Sequence, residues 1–336
     1  MLQYKPWSDK TFEEAMEKYK KGLLSMLDLE VSGACNLSCI YCETNDKVSM
    51  SKLSIKTVEK VLETGNIDWI FVCGLGEPTQ KNNIGLLKEI LKLCKKYGVK
   101  CSMFTNLVFL DDELCKFIEE EILYILFKLD TFDREKVKEI YGADVSGAII
   151  DNIERIEKLI KVDGELTNIA ASIVPTTLNK DELNTVVDYC YSKNIFPLIG
   201  QLEKCGSAVN IFNKLNLPDK VLYELRSYIL DKYGAEYKIP ICPSVICGIN
   251  IDNESNVVVD GHTGLSCYSF WLREPEIKYL LSANEETTYE EMVEHIMEYR
   301  DKSKDYINKN IDSIKDLPFG GCGGDIKTIL EYYMNL

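Results

Sequence analysis

The sequence predicts an α/β fold in which six strands, each followed by a helix, form a partial (βα)6 TIM-like barrel. Two observations predict this fold. Short runs rich in β-branched and aromatic residues recur through the first two thirds of the chain, and each precedes a stretch with the apolar spacing of an amphipathic helix. Strands that alternate with helices form parallel sheets, and right-handed β-α repeats of this number curl toward a barrel.

The predicted strands are short and are bounded by polar residues, Gly or Pro. They lie at 26–32, 69–73, 100–104, 124–129, 169–174 and 196–199. The predicted helices lie at 54–63, 84–96, 111–120, 148–161, 180–192 and 218–233. The helical pattern is clearest in the second of these, where Ile84, Leu87 and Ile90 share one face and Gly98 marks the end.

The alternation of strands and helices ends after Gly234, which predicts a domain boundary there. We expect an N-terminal extension (1–25), the barrel (26–234) and a small C-terminal domain (235–336). The C-terminal part contains two strand-like runs, ICGINI and NVVVD, on either side of a turn, and an acidic helical stretch at 285–300.

Composition narrows the classes of partner. The 336 residues are 46% hydrophobic and carry 39 Lys and Arg against 54 Asp and Glu, a net charge of −15. Because phosphate binding needs clustered positive charge, this balance argues against nucleic acid or an anionic membrane as the main partner. The longest apolar run, Ile122–Phe127, is far shorter than the ~18 residues of a membrane span, and we expect a cytoplasmic protein without a signal peptide.

Three of the 13 cysteines form a compact motif. Cys35, Cys39 and Cys42 lie in CNLSCIYC, immediately after the first predicted strand. No fourth Cys or His lies nearby to close a tetrahedral zinc site. Three thiolates at this spacing suit an iron-sulfur cluster that has one iron without a protein ligand.

The CxxxCxxC spacing, with an aromatic residue before the third cysteine, resembles the radical S-adenosylmethionine (radical SAM) superfamily. The resemblance implies that Cys35, Cys39 and Cys42 bind a [4Fe-4S] cluster whose open iron holds the amino and carboxylate groups of SAM. Reduction then cleaves SAM to methionine and a 5'-deoxyadenosyl radical that removes hydrogen from a C–H bond. By the same resemblance, Tyr41 packs near the adenine. The alternative interpretation is a zinc-binding or structural loop.

A second motif follows the second predicted strand. The segment Gly74-Leu75-Gly76-Glu77-Pro78 looks like the Gly-Gly-Glu segment of the same family, although Leu75 departs from the pattern. The resemblance implies that Gly74, Gly76 and Glu77 meet the methionine ammonium of SAM. A carboxylate facing an ammonium forms a charge-assisted hydrogen bond, and glycine permits close backbone approach. The alternative is an ordinary strand-to-helix turn.

Polar residues at the other predicted strand ends are further candidates, because the carboxyl ends of parallel barrel strands surround the active-site mouth. The candidates for SAM binding are Thr105, Asn106, Lys128 and Ser172. The candidates for substrate binding are Asp130, Gln201 and Glu203. Any of these could instead be a helix cap or part of a solvated turn.

The C-terminal part holds four more candidate metal ligands, Cys242, Cys247, Cys267 and Cys322. The stretch from Cys247 through Gly261 to Cys267 nearly reproduces the CX9-15GX4C pattern of twitch or SPASM extensions, with one extra residue before the second cysteine. The resemblance implies a small iron-sulfur domain with one auxiliary [4Fe-4S] cluster, hence two clusters in all. The alternative is a zinc knuckle or scattered buried thiols.

The remaining cysteines divide into two kinds. Cys205 follows the sixth predicted strand, where a thiol could return a hydrogen atom to a substrate radical, as in radical SAM epimerases. The alternative is a loop thiol without a role. The others lie within strand or helix patterns and are expected to pack as small apolar side chains: Cys73, Cys94, Cys101, Cys115 and Cys190.

These motifs together predict a radical SAM oxidoreductase or epimerase. The expected substrate is a small polar molecule or a short peptide, oxidised or epimerised after loss of a C–H hydrogen, with flavodoxin or ferredoxin as electron donor. One alternative is a peptide maturase that forms C–C or C–S cross-links. An alternative from another class is a non-catalytic iron-sulfur protein that transfers electrons.

Overall fold

The computed structural model describes most of the barrel and parts of the C-terminal region. The described residues are 2–42, 52–202, 204, 206–234, 237, 242–252, 255, 257–258, 280–281, 284–298, 301 and 309.

The described residues include twelve strands and ten α-helices with the following bounds. The strands are β1 (Gln3–Tyr4), β2 (Met26–Leu29), β3 (Trp69–Val72), β4 (Lys100–Thr105), β5 (Leu123–Lys128), β6 (Val162–Asp163), β7 (Leu166–Thr167), β8 (Ile169–Ile173), β9 (Phe196–Ile199), β10 (Gly248–Ile251), β11 (Val257–Val258) and β12 (Leu280–Leu281). The α-helices are α1 (Asp9–Tyr19), α2 (Ile55–Glu63), α3 (Ile84–Tyr97), α4 (Asp112–Glu119), α5 (Arg134–Tyr141), α6 (Ser146–Glu157), α7 (Leu183–Ser192), α8 (Phe212–Leu215), α9 (Asp219–Tyr233) and α10 (Ser244–Cys247). Residues 289–298 are also helical.

Six parallel strands form the greater part of the main sheet, as the sequence predicts. They lie in the order β2-β3-β4-β5-β8-β9, which is also their order along the chain. Each neighbouring pair is parallel. Leu123–Phe127 in β5 are fully buried, as expected for a parallel strand covered on both faces. The architecture is the α/β partial barrel that the sequence predicts.

The two faces of the sheet have different coverings. Cys101 of β4 contacts Cys94 of α3 and therefore faces the helices. The alternate residues Ser102 and Phe104 face the opposite way, and we call this side the inner face. The Ser102 hydroxyl lies 2.9 Å from the Tyr4 hydroxyl, and the Phe104 ring centroid lies 5.7 Å from that of Trp7. The N-terminal segment, for which the sequence predicts no element, therefore packs against the inner face.

The sheet continues past β2 with strands from the C-terminal region. β10 pairs parallel with β2, matching Gly248 to Met26 and Ile251 to Leu29. β11 pairs antiparallel with β10, which confirms the hairpin that the two runs predict, and β12 pairs with β11. A small separate sheet has the order β1-β7-β6. The predicted boundary near residue 234 therefore falls between segments that share one sheet.

Helix ends follow from local sequence. Asp111 and Asp133 cap α4 and α5, each accepting a hydrogen bond from a backbone N–H in the first turn. Gly98, with a φ of 71°, ends α3 in the left-handed conformation. Helix α5 is not among the helices that the sequence predicts, because its apolar positions are too few to give a clear periodic pattern. No helix in the described part of the chain combines the length and apolar character needed to cross a bilayer.

Candidate functional site

The three motif cysteines lie on the loop that follows β2, which we call the cysteine loop (residues 30–42). Cys35 is exposed, whereas Cys39 and Cys42 are half-buried, and none of the three is in a disulfide. The Cys42 N–H donates to the Cys39 carbonyl at 3.1 Å, and the Leu37 N–H donates to the Cys35 sulfur at 3.4 Å. The loop thus presents its thiols on a compact, hydrogen-bonded turn.

Backbone contacts attach the cysteine loop to the end of α5. The Ser38 N–H donates to the Tyr141 carbonyl at 3.2 Å, and the Ile40 N–H donates to the Ile140 carbonyl at 2.9 Å. Gly142 follows with a φ of 73°, and a β-carbon there would overlap the Ser38 hydroxyl. Glycine at this position therefore permits the loop to approach the helix end.

A buried carboxylate also holds the cysteine loop. Asp130, which is 0% exposed, accepts hydrogen bonds from the hydroxyls of Tyr41 and Tyr141 and from the Val174 N–H. The Lys128 ammonium lies 3.5 Å from the Asp130 carboxylate and 4.9 Å from the Tyr41 ring centroid. Asp130, which the sequence predicts to bind substrate, also positions the loop residue Tyr41.

The thiols lie near charged side chains of both signs, Lys128 and Asp130 beside Cys39 and Glu77 beside Cys35. Burial raises the pKa of the Cys39 thiol to about 12, and the Lys128 ammonium acts in the opposite direction. Burial also raises the pKa of Cys35. Cys35 and Cys42 both act electrostatically on Cys39, so the three sulfurs are neighbours. Binding a metal at these thiols would release their protons.

The two glycines of the GLGEP segment lie in close contact with residues at the start of the cysteine loop. Gly74 and Gly76 have φ values of 92° and 74°. A β-carbon on Gly76 would overlap the Ser32 carbonyl oxygen, and one on Gly74 would lie 2.5 Å from a carboxylate oxygen of Glu30. The turn after β3 therefore packs directly against the start of the cysteine loop.

Glu77 is buried within a set of hydrogen-bond donors. Its carboxylate accepts from the hydroxyls of Thr79 and Thr105, each at 2.7 Å, from the Asn106 N–H at 2.7 Å and from the Thr79 N–H at 3.0 Å. Burial raises the pKa of Glu77, and these bonds oppose the rise. The Asn106 side chain also donates to the Asn36 side chain at 2.9 Å. Thr105 and Asn106 thus hold Glu77 beside the cysteine loop.

Asn83 joins the two motifs. Its side-chain amide donates to the Ala34 carbonyl at 3.0 Å and to the Glu77 carbonyl at 2.8 Å, and Asn83 is fully buried. The Glu77 N–H also donates to the Ala34 carbonyl at 2.9 Å. This arrangement fixes the distance between the cysteine loop and the GLGEP turn.

Replacing Asn83 with alanine is expected to lower the free energy of unfolding by about 1–3 kcal/mol, since two buried hydrogen bonds are lost. Denaturant unfolding of the full chain measures the change. Asn82→Ala is the matched control, because Asn82 is exposed and it is Asn83 that donates to the Ala34 and Glu77 carbonyls. Equal stability of the two variants would contradict the assigned role of Asn83.

The other predicted site residues fall at different places. Ser172 pairs with Lys128 across β8 and β5, and Gln201 follows β9; both are half-buried. The Ser207 N–H donates to the Cys42 carbonyl at 2.9 Å, which joins the segment after β9 to the cysteine loop. Four predicted residues lie outside the described residues: Glu203, Cys205, Cys267 and Cys322.

Two of the four predicted auxiliary ligands are described. Cys242 is buried with its sulfur 3.1 Å from the Ser244 hydroxyl, and Cys247 is fully buried with its sulfur 3.7 Å from the Met16 sulfur. These contacts are those of packed thiols. An auxiliary cluster at these residues stays a prediction.

The cysteine loop fits a cluster better than a single ion. Within the described ranges, no three His, Cys, Asp or Glu side chains converge as ligands of one metal ion would. An iron-sulfur cluster needs no such convergence, because each thiolate binds a different iron. The three neighbouring thiols, without a described fourth ligand, match that donor set. Cys35, Cys39 and Cys42 could therefore hold a cluster.

Two acidic residues on the inner face are absent from the sequence-based candidates. Asp28 and Glu30 are only 6% and 3% exposed. Burial raises the pKa of the Asp28 carboxyl to about 7, and a hydrogen bond with the Ser244 side chain acts in the opposite direction. The available signal is that both carboxylates interrupt the apolar run MLDLEVS at alternate positions.

A family model and several curated proteins match the chain. Residues 29–190 match the radical SAM superfamily model. A probable GTP 3',8-cyclase of Sulfurisphaera tokodaii is 28% identical over 60% of this chain and 64% of its own length. A probable GTP 3',8-cyclase of Pyrococcus abyssi is 31% identical over 40% of this chain and 44% of its own length. This chain thus spans about half to two thirds of these relatives.

Solved structures share the fold. Native anSMEcpe with bound AdoMet has a TM-score of 0.57 at 18% identity, with 82% of each chain covered. SuiB of Streptococcus suis bound to precursor peptide SuiA has a TM-score of 0.55 at 15% identity, covering 80% of this chain and 65% of SuiB. The radical SAM family binds SAM and a [4Fe-4S] cluster. With the cysteine loop and the GLGEP turn inside the matched range, residues 29–190 of this chain form a radical SAM superfamily domain.

Proposed function

We propose that this chain cleaves SAM reductively and uses the resulting radical to remove a C–H hydrogen from a small polar molecule or a short peptide. The proposed outcome is oxidation or epimerisation of that substrate. The observation that carries the proposal is the cysteine loop, whose three neighbouring thiols are held against Glu77 through Asn83 and against β5 through Asp130.

The chain's own residues have distinct proposed roles. When bound, a reduced [4Fe-4S] cluster supplies the electron that cleaves SAM to methionine and a 5'-deoxyadenosyl radical. Cys35, Cys39 and Cys42 hold the cluster. Glu77 and the Lys128 ammonium face the charged groups of the methionine part of SAM, where charge-assisted hydrogen bonds fix its orientation.

The remaining SAM and substrate assignments extend the same proposal. Tyr41, Gly74, Gly76, Thr105, Asn106 and Ser172 shape the SAM site, directly or by positioning Glu77 and the loop. Asp130, Gln201 and Glu203 are the proposed substrate-binding residues. Flavodoxin or ferredoxin would supply the electron.

The C-terminal cysteines and Cys205 bear on the choice of reaction. In an oxidation, an auxiliary [4Fe-4S] cluster held by Cys242, Cys247, Cys267 and Cys322 would accept the second electron. In an epimerisation, the Cys205 thiol would return a hydrogen atom to the substrate. Two clusters correspond to about eight iron atoms per chain.

The proposal is tested by anaerobic reconstitution of the full chain with iron and sulfide, followed by addition of dithionite and SAM. We expect formation of 5'-deoxyadenosine, measured by liquid chromatography and mass spectrometry, and none when dithionite is omitted. Absence of 5'-deoxyadenosine from a chain that carries iron would favour a non-catalytic electron-transfer protein.

Cyclisation of a nucleotide is a second candidate, favoured by the relatives named as probable GTP 3',8-cyclases. The inner face of the barrel argues against it, because Asp28 and Glu30 would repel a triphosphate placed near them. Adding GTP to the same assay separates the candidates, since a cyclase would consume GTP as 5'-deoxyadenosine forms. Peptide cross-linking is the remaining alternative.

A further inference from the structure

We propose that Asp28 and Glu30, together with Asn250, form a subsite on the inner face of the barrel that binds an ammonium group of the substrate. The inference rests on the proposed function, because it assigns a chemical class to the molecule from which hydrogen is removed.

Strand geometry places these side chains together. Ser102 lies on the inner face, and the register joins it laterally to Phe71 and then to Asp28. Asp28 therefore points to the inner face, as does Glu30 two residues later, about 7 Å along the strand. On the other side of β2, Asn250 of β10 is the direct partner of Asp28.

Asp28 carries the strongest indication of a ligand. Its side chain is more than nine-tenths buried, and its Oδ1 atom has no hydrogen-bond partner among the described residues. Among the described residues, the Ser244 hydroxyl donates a hydrogen bond to the Asp28 carboxylate. The neighbouring Asn250 Oδ1 atom likewise lacks a partner within the described part of the chain. Two oxygen acceptors without a described partner thus lie on directly paired residues of neighbouring strands.

The charges on this face favour a cation. A buried carboxylate is costly unless it is paired with a positive group. No basic side chain among the described residues acts electrostatically on Asp28. Two lysines of the inner face have other partners: Lys100 lies 5.7 Å from the Trp69 ring centroid, and Lys128 pairs with Asp130. A neutral polyol could accept and donate hydrogen bonds here but could not neutralise the charge.

Glu30 connects this subsite to the proposed SAM site. Its carboxylate lies directly against Gly74, where any larger residue would displace it. Glu30 therefore stands between Asp28 and the GLGEP turn. An ammonium group held by both carboxylates would place the attached carbon chain on the inner face below the cysteine loop.

The test uses two probes with the same carbon skeleton, 1,4-diaminobutane and 1,4-butanediol, and the anaerobically reconstituted full chain. The diamine at about 10 mM is expected to raise the unfolding temperature by about 2–4 °C, as a ligand with a millimolar dissociation constant would. The diol is expected to leave the unfolding temperature unchanged. Asp28→Asn and Glu30→Gln should each abolish the shift. Asp163→Asn, the same change on an exposed strand, should retain it.

Equal shifts with the two probes, or a diamine shift retained in both Asp28→Asn and Glu30→Gln, would overturn the subsite. The second result would mean that the diamine binds the acidic surface in general. Glu30→Gln provides the comparison if Asp28→Asn does not fold. Because this measurement needs no SAM cleavage, its failure is distinct from a failure to form 5'-deoxyadenosine.

Discussion

Replacing Cys39 with alanine is expected to abolish formation of 5'-deoxyadenosine and to remove about four iron atoms per chain. Cys39 is the central cysteine of the loop, and its sulfur acts electrostatically with those of Cys35 and Cys42. Without this thiolate, a second iron lacks a protein ligand, and the cluster is no longer held. Iron analysis and the SAM cleavage assay measure the two effects.

Cys190→Ala is the matched control for this variant. Cys190 is fully buried in α7 and packs in the core. Its loss should lower stability while leaving iron content and SAM cleavage at the level of the unchanged protein. If Cys39→Ala retained both properties as Cys190→Ala does, the cysteine loop would not be the cluster site.

Asp28→Asn is expected to stabilise the protein increasingly as the pH rises. Burial raises the pKa of Asp28 from 3.8 to about 7. The folded state therefore holds this proton more tightly than the unfolded state, and the stability that protonation contributes is lost as the pH rises from about 4 to about 7. Asparagine has no charge to desolvate. The advantage of the variant should grow from about 2 kcal/mol at pH 5.5 to about 4 kcal/mol at pH 8.

Denaturant unfolding of both proteins at the two pH values, without added amine, measures this difference. Asp163→Asn should change the free energy of unfolding by no more than about 0.5 kcal/mol at either pH, as surface substitutions usually do. A stability difference between Asp28→Asn and the unchanged protein that stayed constant with pH would contradict the assignment. A gain in stability with a loss of diamine binding would show a carboxylate retained for binding at the expense of stability.

The barrel strands could be predicted because their signals are local. The run at 123–127 is apolar throughout and is buried on both faces, and Gly98 ends α3 where the periodic pattern stops. The cysteine motif likewise depends only on spacing within one segment. For these features, short-range sequence carries the information that the fold uses.

The contacts that assemble the site could not be predicted in the same way. Asp130 lies at a strand end, which predicts exposure at the active-site mouth. It is buried instead, because Tyr41 and Val174, which are distant in the sequence, contact it. The inner-face position of Asp28 depends on pairing with Phe71 of β3 and Asn250 of β10, which no local pattern reveals.

The pairing of β2 with β10 has a consequence for folding during synthesis. During synthesis, β2 can pair with β10 only after Gly248, the partner of Met26, has left the ribosome. Until then, one edge of the nascent sheet presents open N–H and C=O groups, the feature through which partly folded chains aggregate. The Tyr289 hydroxyl, which donates to the Leu24 carbonyl at 2.7 Å, completes this region later still. Folding of the barrel is thus coupled to the last third of the chain.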